Sequence, residues 1–357
     1  MLELLRYDAL MAAAASLCTC ILLVLTKSWH GSFSIDSTDG IQKFHTQPTP
    51  RIGGIAIAVG VLVGFAASSH DPAAAEKRAI LSAILLAGMP AFIFGLLEDL
   101  TKRVSVRARL LATMASGILG WGITGVALTH VNVPGLDWLL GFTAISVLFT
   151  AFAVGGVANA INLIDGIDGL ASGLTGSALL VLGSLFLING MWIYALLSFA
   201  TLGVLVPFFY YNVFGQADHG RKIFMGDTGS LTLGYILVFL AIRYASYNPD
   251  VAHYSAGAIV VAFSTLIVPM FDVVRVMIVR ARSHRSLFKP DRNHIHHKFL
   301  DMGMSAHKAM ISIVVIASLF SSLNILLVSF VNINIVFAGD IVIWVVLSIW
   351  FEKAGNK

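Results

Sequence analysis

The chain of 357 residues alternates long apolar runs with short polar stretches. A helix that crosses a bilayer needs about 20 consecutive, mostly apolar residues. Eleven runs approach that length, at residues 7–26, 53–69, 79–97, 108–129, 138–160, 171–188, 191–210, 228–246, 256–279, 309–330 and 333–351. Asp340 interrupts the last of them. The pattern predicts an all-α polytopic membrane protein of about 11 transmembrane helices. The first run follows Arg6 as a signal peptide would. Asp8 weakens a positive leader and Leu17 before Cys18 fits a lipoprotein cleavage site poorly, so the run reads as an uncleaved span.

The segments between the runs differ by side. Residues 27–52, 98–107, 211–227 and 280–308 are polar and basic; 70–78, 130–137, 189–190, 247–255 and 331–332 are short. Of the 23 Lys and Arg, 19 fall on the first side with the C-terminal tail. The other four are Arg6, Lys77, Arg78 and Arg243. The positive-inside rule makes the basic side cytoplasmic, with the N-terminus outside and the C-terminus inside. In a bacterium such a multi-pass chain belongs in the inner membrane. No loop is long enough to fold alone. Residues 1–357 therefore read as one integral membrane domain, whose chemistry sits in the bundle and in segments 27–52, 98–107, 161–170, 211–227 and 280–308.

Composition agrees. The chain is 57% hydrophobic and 12% charged, against about 45–50% and about 25% in soluble domains. That excludes disorder and argues against two soluble domains. Cys18 and Cys20 share the first run and form neither a disulfide framework nor a spaced metal motif. The net charge of +4 is small, and no nucleic-acid partner is expected.

Ionisable residues at membrane depth are functional candidates, and here they gather at the cytoplasmic ends of helices. Glu98-Asp99 ends an apolar helix. Adjacent carboxylates raise one another's pKa, which suits a base or metal-linked ligand; a solvated helix end balanced by Lys102 and Arg103 is the plainer reading. Asn159, Asn162, Asp165 and Asp168 recur every three residues, a spacing that aligns them on a helix or 3₁₀ turn. Capping of the following helix would explain one of these acids but not the row. Asp227, in Phe224-Met225-Gly226-Asp227-Thr228-Gly229-Ser230, opens a span as an N-cap or as a Mg²⁺ ligand. Arg292, His294, His296, His297 and Lys298 crowd the longest inner loop. Zinc fits that spacing poorly, an anion site fits better, and a lipid-attracted basic segment explains only the Lys and Arg. Lys43, His45 and Arg51 add cations to the first inner loop. Acids able to hold Mg²⁺ beside cations able to hold phosphates are what phosphoryl transfer needs, with a soluble donor arriving from the cytoplasm and a lipid acceptor arriving sideways between helices.

At these motifs the sequence resembles the polyprenyl-phosphate N-acetylhexosamine-1-phosphate transferase family, which includes WecA-type enzymes and the phospho-MurNAc-pentapeptide translocase. The likeness covers roughly residues 43–300 and rests on Asn159-Ala160-Ile161-Asn162, Asp165-Gly166-Ile167-Asp168-Gly169-Leu170 and Phe224 to Ser230. It implies transfer of a sugar-1-phosphate from a UDP-sugar to undecaprenyl phosphate in a lipid bilayer, with UMP released. Mg²⁺ is the implied cofactor, with Mn²⁺ able to substitute, and a homodimer is allowed. By position, Asn162 and Asp227 match metal ligands. Asp165 and Asp168 match the lining of the nucleotide and diphosphate site, and Asn212 a position near the uridine. Lys102 lies near a cationic position. Arg292, His294, His296 and His297 match a phosphate- and sugar-holding loop. Glu98 and Asp99 occupy a pair that supplies the proposed base, with Glu98 replacing an Asp. The His294-Ile295-His296-His297 form is similar to the WecA-type branch, which favours a donor without a peptide and a role in O-antigen or related envelope glycans. The alternative within the family is the peptidoglycan translocase. The alternative of another class is an ion-coupled transporter, for which Asp272 and Arg275 are the best pair, though they could equally form a structural ion pair.

Overall fold

The computed structural model describes residues 2–26, 35–36, 49–51, 53–67, 75–217, 219, 221–246, 257–286 and 292–354. Its helices are α1 (Leu2–Leu25), α2 (Gly53–Ala67), α3 (Ala75–Ala87), α4 (Met89–Thr101), α5 (Val106–Thr124), α6 (Pro134–Leu140), α7 (Thr143–Ile164), α8 (Leu170–Ile188), α9 (Trp192–Phe209), α10 (Gly226–Ala245), α11 (Ala258–Ser264), α12 (Ile267–Arg282), α13 (Ile295–Asp301), α14 (Ala306–Leu327) and α15 (Ile333–Ala354). A short antiparallel pair joins β1 (Ile35–Asp36) to β2 (Thr49–Pro50).

The chain is an all-α polytopic membrane protein. Every one of the eleven apolar runs lies on a helix or a bent helix pair. By length and composition six helices can cross a membrane, or eight if each bent pair is one span. Of the other three runs, two fall on shorter apolar helices, Leu10–Leu25 and Gly53–Ala66, and 108–129 falls on α5, whose first turns carry Arg107 and Arg109.

The bends have local causes. The α3–α4 pair turns by 43° where Pro90 lacks the N–H that the Leu86 carbonyl needs. The α11–α12 pair turns by 72° four residues before Pro269, which likewise leaves the Thr265 carbonyl without a helical donor. Pro207 lies near the end of α9, and a π-helical turn follows over Tyr210–Phe214.

The most buried span is α10, with 83% of its apolar window inside the protein. Lipid is as apolar as Leu, so helices in a bilayer associate by close packing rather than water exclusion. Accordingly Gly234 of α10 meets Ala158 of α7 so closely that an added Cβ would lie 2.6 Å from the Ala158 Cα. The peripheral helices expose Leu, Ile and Val, such as Leu319 and Val346. Asp340, the polar interruption of the last run, is buried against α14, where Asn324 donates to it at 2.7 Å.

The start of α10 is held by a residue from another helix. Asp99 is fully buried. It accepts from the Asp227 N–H at 2.9 Å, the Thr228 N–H at 2.8 Å and the Thr228 hydroxyl at 2.6 Å. It therefore satisfies N-terminal donors that α10's own N-cap, Met225, cannot, and its charge suits the positive end of the helix dipole. Gly226 makes the approach possible. Its φ of +70° favours glycine, and a Cβ there would lie 2.5 Å from the Asp99 carboxylate. Backbone bonds from Gly53 to Phe224 (3.0 Å), Gly54 to Met225 (2.9 Å) and Phe224 to Pro50 (2.8 Å) dock the end of the first loop on the same junction. Asp99→Ala strands three buried donors and is expected to cost roughly 3 kcal/mol or more. Asp99→Asn keeps one acceptor and should cost less. Thermal unfolding in detergent checks the order; a parent-like Asp99→Ala protein would contradict it.

Candidate active site

One end of the bundle encloses a cavity of about 760 Å³, bounded by α5, α7, the 165–169 turn, the 212–227 segment, α12 and α13. That volume is ordinary for a small-molecule site. Its wall carries Asn159, Asn162, Asp165, Asp168, Asn212, Asp227, Arg51, Arg109, Lys222, Arg280, His294, His296 and His297, with Val106, Phe152, Leu163 and Met277 among its apolar members.

The three-residue row reaches the wall by two kinds of backbone. Helix α7 ends at Ile164, so Asn159 and Asn162 project from its last turns while Asp165 and Asp168 sit in the following turn. Neither acid caps α8, whose N-cap position is Gly169, a residue with no side chain to cap it. Asn159 donates to the Thr113 hydroxyl at 3.0 Å. Asn162 donates to Asp227 Oδ1 at 3.1 Å and to the Ser230 hydroxyl at 2.8 Å. Asp168 pairs with Lys222 at 2.5 Å. Burial, then the neighbouring Asp168 and Asp99 charges, pushes Asp165 up to about 7.

Asp227 lies in the first turn of α10, but the capping role belongs to Asp99. Its carboxylate instead pairs with Arg109 through one oxygen and with Arg51 at 3.7 Å through the other. Arg51 also stands 3.7 Å from Asp99. The π-helical turn brings Asn212 to the wall, where it is buried and bridges two loops. It accepts from the Gly169 N–H at 2.7 Å and donates to the Ile223 carbonyl at 2.9 Å.

The histidines occupy α13 and its N-cap. His294 Nδ1 lies 2.8 Å from Asp272, and all three imidazoles are buried. The rings of His294 and His296 are parallel at 5.9 Å, and His297 lies 4.2 Å from His296. His296 packs onto the acid turn at Gly166, where an added Cβ would lie 2.2 Å from Nε2. Burial, then the adjacent His297, holds His296 down at about 3. Burial, then Arg292, holds His297 down at about 4. Near neutral pH these two are neutral donors and acceptors. That corrects the expectation that they add charge-assisted bonds.

Other expected residues stand elsewhere. Glu98 does not line the cavity; it accepts the Val104 N–H at 2.8 Å and closes the loop after α4. Asp99 is likewise outside the lining, committed to α10. In this geometry both members of the pair are engaged in structural hydrogen bonds. Lys102, at φ +55°, and Arg292 are exposed and off the lining. Lys43 and His45 lie outside the described residues.

Arg109, Lys222, Arg280 and Asp272 went unread in the sequence as site residues. Arg109 had a signal, as a cation at the border of an apolar run. Lys222 and Arg280 had none beyond general basicity. Asp272 was visible as one half of an i,i+3 pair with Arg275, and that ion pair is present at 2.8 Å. Its third partner, His294, is 22 positions away.

The family resemblance implies Mg²⁺, and the donor set can be tested for it. Among the described residues no group of three or more His, Cys, Asp or Glu converges as a metal cage. Asp227, Asn162, Asp165 and Asp168 do share the cavity wall, and Asn162 is in hydrogen-bond contact with Asp227. Such a set fits a hard cation that keeps waters and shares substrate phosphates, as Mg²⁺ does.

Fold and site define an α-helical membrane protein whose acids and cations face one another across a cavity at one end of the bundle. A family model described as glycosyl transferase family 4 matches residues 81–245. A probable undecaprenyl-phosphate N-acetylglucosaminyl 1-phosphate transferase of Bacillus subtilis (strain 168) is 31% identical over 288 residues, covering 81% of this chain and 76% of the relative. The undecaprenyl-phosphate alpha-N-acetylglucosaminyl 1-phosphate transferases of Yersinia pestis and Escherichia coli (strain K12) are 28% and 27% identical, each covering 80% of this chain and 74% of the relative. The chain belongs to glycosyl transferase family 4.

A pH prediction follows from the buried imidazoles. His296 titrates near 6.5 when unfolded but only at about 3 when folded. Below about pH 6.5 the unfolded chain binds the extra proton, so stability falls as pH falls through that window. The loss from this one group reaches roughly 2 kcal/mol at about pH 5. The unfolding temperature of His296→Gln should therefore drop less than the parent's between about pH 7 and 5; equal drops would contradict a neutral His296.

Proposed function

We infer that this chain transfers N-acetylhexosamine-1-phosphate from a UDP-sugar to undecaprenyl phosphate, releases UMP, and so initiates O-antigen or another cell-envelope polysaccharide. The names of its relatives favour N-acetylglucosamine as the sugar. The observation that carries the reading is the cavity itself, where Arg51, Arg109 and Lys222 stand on Asp227 and Asp168. A diphosphate entering there meets cations already in place, and charge-assisted bonds to phosphate are strong in a desolvated site.

The apolar sector supports the acceptor half. Phe152 and Leu163 line the cavity yet are 65% and 40% exposed. A prenyl chain lying in the bilayer could reach the cavity past them. We propose the cavity faces the cytoplasm of the bacterial inner membrane, with eleven crossings, the N-terminus outside and the C-terminus inside, by the distribution of Lys and Arg.

In the reaction an oxygen of the acceptor phosphate attacks the sugar-bearing phosphorus, and the bond to the UMP phosphate breaks. A phosphate monoester has a second pKa of about 6, so the nucleophile is largely ionised near neutral pH and demand on a base is modest. Asp165 is the wall carboxyl suited to take a remaining proton, because it is held near neutrality. Arg109 and Lys222 would move from their carboxylates to the phosphates. His296 and His297, neutral and rigidly packed, would hold sugar or phosphate by hydrogen bonds. Asp227 and Asn162 would hold Mg²⁺, which supplies charge neutralisation at the diphosphate.

Purified protein with UDP-N-acetylhexosamines should release UMP only when Mg²⁺ and undecaprenyl phosphate are both present. Silence across the donor panel would sink the reading, and turnover confined to UDP-MurNAc-pentapeptide would move it to the peptidoglycan branch. Asp227→Ala should lose turnover by about 100-fold or more while still inserting and folding. Arg109→Gln should lower kcat/KM for the donor by about 10- to 100-fold. Near-parent activity of either variant would remove that residue from the site.

A further inference from the structure

Asp272 is a fully buried acid that the transfer reading leaves without a role. It sits in α12, nearly two turns beyond the break that redirects the α11–α12 pair. Its Oδ2 lies 2.8 Å from His294 Nδ1. Its Oδ1 accepts the Ile295 N–H at 2.9 Å and the Arg275 guanidinium at 2.8 Å. The same Arg275 nitrogen also donates to the Asn293 carbonyl. Every bond of the pair thus ends on residues 293–295, where the histidine helix begins.

An ion pair needed only for folding would not have to grip one particular ring nitrogen. A carboxylate is an acceptor, so the hydrogen between it and the imidazole sits on Nδ1. Nε2 is the one polar atom of the ring left over, and His294 lines the cavity. A carboxylate behind an imidazole fixes its tautomer and orientation and raises its basicity.

We propose that Asp272 is a positioning residue that fixes His294 in the Nδ1–H form, so that Nε2 offers a lone pair to a hydroxyl of the substrate. Either a protonated phosphate or a sugar hydroxyl has the chemistry to occupy it. His296 lacks such a carboxylate: its Nδ1 is buried with no hydrogen-bond partner among the described residues. The three histidines are therefore not equivalent. His294 is the oriented acceptor and His296 a packed neighbour.

The functional half of the proposal rests on the transferase reading; the structural half does not, so the two fail separately. Protein labelled with [¹⁵N]histidine in lipid bilayers near neutral pH, with His294 assigned by its loss in His294→Gln, should show Nδ1 protonated and Nε2 bare. A parent His294 in the Nε2–H form overturns the proposal whatever the activity and whether or not any variant folds. In Asp272→Asn the side-chain amide donates to Nδ1, so the proton should move to Nε2. In the UMP-release assay Asp272→Asn and His294→Gln should each lower kcat/KM by about 10- to 100-fold. The double variant should fall within about threefold of His294→Gln alone, because one residue acts through the other. Losses that multiply would show Asp272 acting independently and overturn the proposal. If no donor releases UMP from the parent, the transferase reading fails and the tautomer measurement still decides the Asp272–His294 arrangement.

Discussion

Asp99 commits both carboxylate oxygens to the first turn of α10, and the cavity is built outward from that contact. A helix N-terminus inside a membrane protein presents orphan N–H groups that lipid cannot satisfy. A carboxylate from another helix satisfies them and is held by the dipole they create. The contact also sets distances. It brings α4 against the backbone of Asp227, draws Arg51 between the two acids, and requires a residue without a side chain at Gly226. Asp227 then points into the cavity because Asp99 has relieved it of capping.

The cavity wall shows how several acids coexist where dielectric is low. An unpaired buried charge is costly, and breaking a buried pair costs more than forming one gains. Asp227 is matched by Arg109 and Arg51, Asp168 by Lys222 and Asp272 by Arg275. Asp165 has no ion pair among the described residues, and burial with the nearby Asp168 and Asp99 charges pushes it up to about 7. In the proposed reaction Arg109 and Lys222 would pass from Asp227 and Asp168 to the incoming phosphates, and Asp227 with Asn162 would hold a metal ion whose charge offsets the carboxylate. Substrate binding would then be an exchange of partners for cations already in place rather than the burial of new unpaired charge.

Much of this was legible in the sequence, and the rest was illegible for identifiable reasons. All eleven apolar runs lie on helices, because a bilayer imposes a length and composition that a window can read. The two breaks were readable only afterwards, since Pro90 and Pro269 stand inside runs whose hydrophobicity hides them. The row from Asn159 to Asp168 does share one wall, although α7 ends between its second and third members. Periodicity predicted the shared face, and segment 161–170, read as non-span, does leave the helix, though only after Ile164. The capping role of Asp99 was illegible for a deeper reason. A pair of acids at a helix end looks the same whether it faces a substrate or the N-terminus of a helix more than a hundred residues later, and only the three-dimensional contact separates these. Lys222 and Arg109 were missed because cations beside a cytoplasmic face are expected on topological grounds alone.

The histidine segment carries this logic furthest. Three imidazoles within four residues look alike as a string, and near an Arg and a Lys they invite a reading as a cationic patch. For His296 and His297 burial reverses that, because desolvation penalises the charged form and neighbouring positive charge, His297 for the first and Arg292 for the second, adds to the penalty. What distinguishes the rings is then what stands behind them. His294 has a carboxylate from α12, His296 has the backbone of Gly166, and His297 has the outer end of the loop with Arg292 nearby. That carboxylate comes from the second half of the α11–α12 pair, which is bent by 72°, and it meets His294 at 2.8 Å. An acid that seemed a transporter's intramembrane charge becomes the link between the bundle and the loop that completes its cavity.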